Sequence, residues 1–249
     1  MTPVAQRARR TEPTRLSHVL VGTSGFSYPA WRGTFYPEEL SAREMLGFYA
    51  RQLGTVEINY TFQRFPKPEL LTGWGRQTPA GFRFALKAPQ RITHQLRLRD
   101  AGEPVQRFCQ LAATLGQKLG PLLFQLPPYL RFDVERLAVF LEQLPPGVSP
   151  AFEFRDASWF RDETYAVLSR HHAALCIADG EALTTPFVAT APFGYLRLRR
   201  ADYADADLDA WAARVREARG WKRIYAYFKH EESGRGPALA RGLLERLGG

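Results

Sequence analysis

The chain has 249 residues, 45% hydrophobic and 24% charged, which is enough to bury a large core unaided, and no stretch approaches the ~20 continuous apolar residues of a membrane span. Its two cysteines, Cys109 and Cys176, sit in apolar runs, so neither a disulfide framework nor a zinc-ligand spacing is available and a reducing, cytoplasmic setting is expected. The net charge of +9, with 29 of the 34 basic residues arginine and spread along the chain, admits an anionic small molecule or nucleic acid as partner without selecting either, while the lack of an apolar span leaves no membrane partner expected.

Residues 1–17 are polar and rich in arginine (Arg7, Arg9, Arg10, Arg15) and lack the apolar middle region of a secretory signal. They read as a disordered basic arm ahead of one domain spanning 18–249. Eight short runs of apolar, β-branched or aromatic residues then follow in order: Leu20–Ser24, Thr55–Asn59, Phe82–Lys87, Pro121–Leu126, Ala151–Arg155, Ala174–Asp179, Tyr195–Arg199 and Ile224–Lys229.

Most segments between these strands carry helix signals. Ser41 and Glu44 have the spacing of a capping box, and Gly54 stops the helix that follows. Pro104 opens another helix, with Val105, Phe108, Leu111, Ala112 and Leu115 on one stripe. Asp133, Asp162 and Asp207 are placed to cap three more, and a last helix runs from about Pro237 to Leu247. The sixth unit is the exception, because residues 180–192 are too short and too rich in Thr and Pro for a good helix. Eight alternating βα units predict an α/β fold, a single (β/α)₈ TIM barrel of about 250 residues with a degenerate sixth helix. Gly22-Thr-Ser-Gly25 is not a P-loop, and no nucleotide-cofactor motif is present.

Barrel enzymes place their sites at the C-terminal ends of the strands, so those ends locate the chemistry. Side chains alternate along a strand. In Val56-Glu57-Ile58-Asn59 the apolar pair should face the helices, which turns Glu57 and Asn59 inward. The same phase turns Lys87, Glu153, Arg155, Arg197 and Arg199 inward, while Gln125, Asp179 and Lys229 end three further strands. A cluster of this kind is either a satisfied ion-pair network or a site, because an unpaired buried charge is costly. Two long loops follow strands on the same side. Residues 26–40 hold Tyr28, Trp31, Phe35 and Tyr36, which could stack a ring or close a lid; residues 88–103 hold His94 among arginines. His230 follows the last strand, and Trp159 follows the fifth at the expected rim. Glu57, Glu153 and Asp179 would suit magnesium or manganese, although the neighbouring cations already balance them.

Several of these stretches resemble the DUF72 (YecE-like) family. They are Val21-Gly-Thr-Ser-Gly-Phe26, Glu57-Ile-Asn-Tyr-Thr-Phe62, Phe82-Arg-Phe-Ala-Leu-Lys87 followed by Ile92-Thr-His94, Leu119-Gly-Pro-Leu-Leu-Phe-Gln-Leu-Pro-Pro128, Glu153-Phe-Arg155 with Ser158-Trp159, and Ala178-Asp179. The resemblance runs from about Val19 onward and implies a TIM barrel with no established activity. It implies Glu57, Asn59, Lys87, His94, Gln125, Glu153, Arg155, Asp179 and Arg197 as characteristic polar positions. One departure is the last strand, which ends Tyr227-Phe-Lys-His230 where the family commonly has a Tyr-x-Phe-Asn-Asn ending.

The expected function is an enzyme, of hydrolase type, acting on a phosphate ester or nucleic acid at the barrel mouth. Glu57, Glu153, Asp179 and His94 are the catalytic candidates. Asn59, Lys87, Gln125, Arg155, Arg197, Lys229, His230, Trp31, Tyr28 and Trp159 are the binding candidates. A sugar hydrolase or isomerase using Glu57 and Glu153, and a non-catalytic adaptor, are the rival readings.

Overall fold

The computed structural model describes residues 18–248; the expected basic arm, residues 1–17, lies outside them. Eight parallel strands close into a barrel in sequence order: β1 (Val19–Ser24), β2 (Thr55–Ile58), β3 (Arg83–Lys87), β4 (Leu119–Gln125), β5 (Pro150–Glu153), β6 (Ala174–Asp179), β7 (Phe193–Leu198) and β8 (Arg223–Phe228). All eight expected runs are strands, shifted by two residues or fewer at either end. Outward residues such as Val56, Phe84, Phe124, Phe152 and Leu196 are fully buried beneath the helices. Inside the barrel Ala85, Leu123, Ala151, Cys176, Tyr195 and Tyr227 form a separate cluster. The barrel is thus a filled core, and only the layer above this cluster is free to be polar. Register sets much of that layer level, pairing Ser24 with Glu57 and Gln125 with Glu153.

The helices are α1 (Met45–Gln52), α2 (Tyr60–Gln63), α3 (Pro68–Arg76), α4 (Gly102–Ala112), α5 (Val134–Glu142), α6 (Asp162–Arg170), α7 (Asp205–Glu217) and α8 (Arg235–Arg246). Residues 180–192, between β6 and β7, carry no helix, as the sequence implied. Asp133 caps α5, its carboxylate accepting from the Arg136 amide at 3.0 Å. Three other termini differ from expectation. Ser41 does bond Glu44, but in a turn ahead of α1, which starts only at Met45. Asp162 is the first residue of α6, and Arg161 occupies the cap position. Asp207 sits in the first turn of α7 and accepts from the Ala204 amide at 2.9 Å. In each case an acidic residue near the positive helix end serves the free amides or the dipole from inside the first turn as well as from the cap.

Two loops shape the mouth. After β1, Gly25 takes a φ of +94°, and a Cβ there would strike the Tyr28 ring. This turn folds Tyr28 back so that its hydroxyl donates to the Ser24 carbonyl at 2.7 Å. After β3, Arg91–Gln95 form a single π-helical turn, and Arg97, Leu98 and Asp100 all have positive φ. Each left-handed non-glycine residue costs roughly 1–2 kcal/mol. Burial of Ile92 and Leu98, joined by the Leu98 amide to the Ile92 carbonyl at 3.0 Å, holds the segment in place. Among the described residues, no helix is long and apolar enough to cross a membrane.

Candidate functional site

Three strands that carry alternate polar residues meet inside the mouth. Glu57 on β2 and Glu153 on β5 are completely buried, and Arg197 on β7 is 2% exposed. One guanidinium bridges both carboxylates: Nη2 lies 2.8 Å from Glu57 and Nη1 lies 2.5 Å from Glu153. Glu57 also accepts from the Ser24 hydroxyl at 2.6 Å and the Tyr195 hydroxyl at 2.7 Å. Glu153 is paired a second time, with Arg199 at 3.1 Å, and Gln125 lies beside it. Burial would raise both carboxyls, but here it is outweighed. The Arg197 charge and three hydrogen bonds hold Glu57 below the usual carboxylate range, and Arg197 with Arg199 takes Glu153 down to about 2. Two glutamates and two arginines thus form a charge-balanced, ionised cluster in which three of the four carboxylate oxygens accept hydrogen bonds, while Glu153 Oε1 has Arg199 at 3.1 Å as an ion-pair partner only.

Above this cluster the balance changes. A cavity of about 650 Å³ is lined by Glu153, Arg155, Gly180, Arg199 and Lys229, among others. Arg155 and Lys229 are exposed and, among the described residues, make no ion pair. Lys87, 9% exposed, stands with its Nζ 3.8 Å above the Phe62 ring and has no carboxylate within salt-bridge distance among the described residues. Burial, reinforced by the Arg197 and Lys229 charges and opposed by Glu57 and Glu153, lowers Lys87 to about 8. His94 packs edge-on against the same Phe62 ring, with centroids 5.0 Å apart, and its Nδ1 lies 2.9 Å from the Thr93 hydroxyl. Burial, then the Lys87 and Arg155 charges, push His94 below its ordinary value. Both groups are therefore biased toward their neutral forms.

The structure brings together Glu57, Glu153, Arg197, Gln125, Lys87, Arg155, Lys229 and His94. It separates the remaining candidates from them. Asp179 shares the outward phase of Leu175 and Ile177; its carboxylate accepts from Trp211 on α7 and from Arg200, both at 3.1 Å. Arg197, expected to bind an anion, has both terminal nitrogens engaged by the two glutamates. Trp31 is fully buried and donates to the Glu231 carbonyl at 2.9 Å, so no ring face is offered for stacking. Trp159 is likewise buried, donating to the Leu130 carbonyl at 2.7 Å and stacked on Phe154. Tyr28 and Asn59 line a second, more apolar cavity of about 490 Å³ together with Tyr60 and Trp74. His230 packs among Tyr203 and Phe228.

The carboxylates considered for a metal do not converge, because Arg197 stands between Glu57 and Glu153 and Asp179 points away. Among the described residues no three His, Cys, Asp or Glu side chains gather as metal donors. Ser24, Tyr195 and Arg199 belong to the cluster without having been singled out as site residues. Alternation from Arg197 reaches Tyr195 and Arg199, whereas Ser24 ends the first strand run, where no charged neighbour marked the inward phase.

Relatives share this frame. A DUF72 protein of Thermotoga maritima MSB8, 29% identical, has a structure superposing with a TM-score of 0.77 over 92% of this chain and 97% of its own. A DUF72 protein of Enterococcus faecalis V583, 19% identical, superposes at 0.73 over 92% and 97% and shows the same fold. UPF0759 protein YecE of Escherichia coli K12 is 32% identical over 145 residues, which is 57% of this chain and 50% of YecE, so the chain spans about half the length of the curated relatives it matches. The family model described as protein of unknown function DUF72 matches residues 20–249, and the chain belongs to that family.

Proposed function

We propose that the barrel mouth binds the phosphate group of a phosphate ester or of nucleic acid, and that the protein is an enzyme acting on that substrate. The observation that carries this reading is the set of three cations, Lys87, Arg155 and Lys229, left without carboxylate partners above a cluster that is already neutral. An anion entering the cavity would meet Arg155 and Lys229 in its wall, with Lys87 outside the lining but within reach of the Lys229 charge, and charge-assisted hydrogen bonds to phosphate are the stronger kind. Arg155 and Lys229 act as the anion clamp. His94, held toward its neutral form, is the candidate for proton transfer. Glu57 and Glu153 act through Arg197 and Arg199 as positioning residues.

The same geometry counts against a sugar hydrolase built on the two glutamates. Such an enzyme needs one carboxyl with a raised pKa to serve as acid. Here both are lowered, both are fully buried and one arginine joins them. Two free, buried thiols fit a reducing compartment, and we place the activity in the cytoplasm on that ground.

The test is a titration of the full chain with a phosphomonoester and with fluorescent single- and double-stranded oligonucleotides, repeated across a salt series. Binding that weakens steadily with salt, and weakens further in Arg155→Ala and Lys229→Ala, supports the reading. Absent or salt-independent binding overturns it.

A further inference from the structure

Lys87 differs from the other two unpaired cations in being enclosed. Its ammonium lies over an aromatic ring, has no hydrogen-bond acceptor among the described residues, and is not among the polar atoms sealed from solvent. A lysine held this way has given up most of its contact with water and gained no carboxylate. That is the environment in which lysine becomes a nucleophile: desolvation in an apolar pocket, or a second cation nearby, favours the free amine. Both conditions hold, with Phe62 beneath the amine and Arg197 and Lys229 as the charges bearing on it.

We propose that Lys87 is an imine-forming residue, condensing with the aldehyde or ketone carbonyl of an anionic substrate whose charged group is held by Arg155 and Lys229. This rests on the anion-binding reading for the clamp, and adds to it a carbonyl in the substrate and a covalent step. The neutral amine adds its lone pair to the carbonyl carbon; the C–N bond forms and the C=O π pair moves to oxygen. That oxygen collects two protons, which balance the two lost from nitrogen, and leaves as water with the imine in place. Each transfer needs a group that can take and return a proton. His94 is that group, because its ring lies against the same Phe62 ring as the amine and its Nε2 makes no hydrogen bond among the described residues.

The fall in the Lys87 pKa to about 8 agrees with this chemistry. Facing the amine are Arg197 and Lys229, which lower it further, Glu57 and Glu153, which oppose them, and His94 alongside. Near pH 8 about half of Lys87 is then the free amine, against well under a hundredth of an ordinary lysine.

Reductive trapping tests this directly. The full chain is incubated with glyceraldehyde 3-phosphate and cyanoborohydride at pH 8, and adducts are mapped by peptide mass spectrometry. The expected result is one stable secondary amine per chain at Lys87, formed at least about tenfold faster than at Lys67, Lys118, Lys222 or Lys229. It should be lost in both Lys87→Arg and Lys87→Met and slowed in His94→Gln. Labelling spread evenly over the lysines overturns the proposal, and needs no variant to be seen. Calorimetry with glycerol 3-phosphate, which has no carbonyl, separates the two readings. Binding there without trapping removes the imine and keeps the anion site. Trapping at Lys87 that is equally fast with unphosphorylated glyceraldehyde keeps the imine and removes the anion clamp.

Discussion

Two layers of charge share the mouth of this barrel, and they behave oppositely. The lower layer, Glu57, Arg197 and Glu153 with the half-buried Arg199, is paired and balanced. The upper layer, Lys87, Arg155 and Lys229, has no carboxylate partners among the described residues and borders or overlooks open space. A buried charge is costly unless it is paired, so the lower layer, in which each charge faces its counter-ion, is committed to the fold. The upper layer has capacity left over, which is what a ligand needs. A charged residue at a barrel mouth is therefore informative about function only once its partners are known.

Removing Arg197 is the sharpest way to break that contrast. Arg197→Met leaves two buried carboxylates facing one another without their shared counter-ion, and a loss of about 3–5 kcal/mol is expected in urea unfolding. Replacing both glutamates by glutamine in the same background should return part of that loss, since the uncompensated charge is then gone. A variant as stable as the parent would mean that the lower layer is dispensable and the distinction false.

Acid should dissolve the lower layer as well. The folded-state pKa of Glu153 is depressed to about 2 and that of Glu57 is also lowered. Their contribution is therefore complete above the unfolded value of about 4.3 and disappears as pH falls through the folded values. A drop of about 2–3 kcal/mol from Glu153 between roughly pH 4.5 and 2 is expected, and Glu153→Gln should flatten that part of the stability profile. An unchanged profile in the variant would locate acid sensitivity elsewhere.

How much of this was legible beforehand depended on phase and distance. The barrel was readable because each strand is a short apolar run bounded by helix signals. Glu57, Glu153 and Arg197 were readable as inward because Val56 and Ile58, Phe152 and Phe154, and Leu196 and Leu198 alternate with them. Asp179 misled because β6 is apolar on both faces, as parallel strands often are, so its phase is hidden. The remaining clue was size: Ala174, Cys176 and Ala178 are small because they face the crowded interior, which turns Asp179 outward. The pairing of Arg197 with both glutamates joins residues 140 and 44 positions apart. Alternation shows that each points inward, not that they meet. Trp31 and Trp159 failed for another reason, since an aromatic loop has the same composition whether it covers a pocket or packs beneath one.

The upper layer makes the reverse expectations, with smaller energies. Lys87 is a cation held in a place that disfavours its charge, so its folded pKa lies below the unfolded one. The unfolded chain then binds more protons between about pH 8 and 10.4, and stability should rise with pH across that window. Below it the burden is constant. Lys87→Met should accordingly raise stability near pH 7, by about 1–2 kcal/mol, while abolishing trapping at that position. A destabilised Met variant would mean that the ammonium over Phe62 contributes to the fold and belongs with the lower layer.

Arg155 and Lys229 give the smallest stability effects and the most discriminating comparison. Both side chains are exposed and neither makes an ion pair among the described residues, so Arg155→Ala and Lys229→Ala should each shift unfolding by less than about 0.5 kcal/mol. Their effect belongs in binding. Each removes one of the charges available to an anion, and a weakening of roughly tenfold is expected for a phosphomonoester at low salt, shrinking as salt rises. Measured beside Arg197→Met, the two variants form a crossed pair: one change alters stability, the others alter affinity with the fold intact. If Arg155→Ala instead destabilised the protein and left phosphate binding unchanged, the cavity above the cluster would lose its claim as the site, because its exposed guanidinium would then be serving the fold.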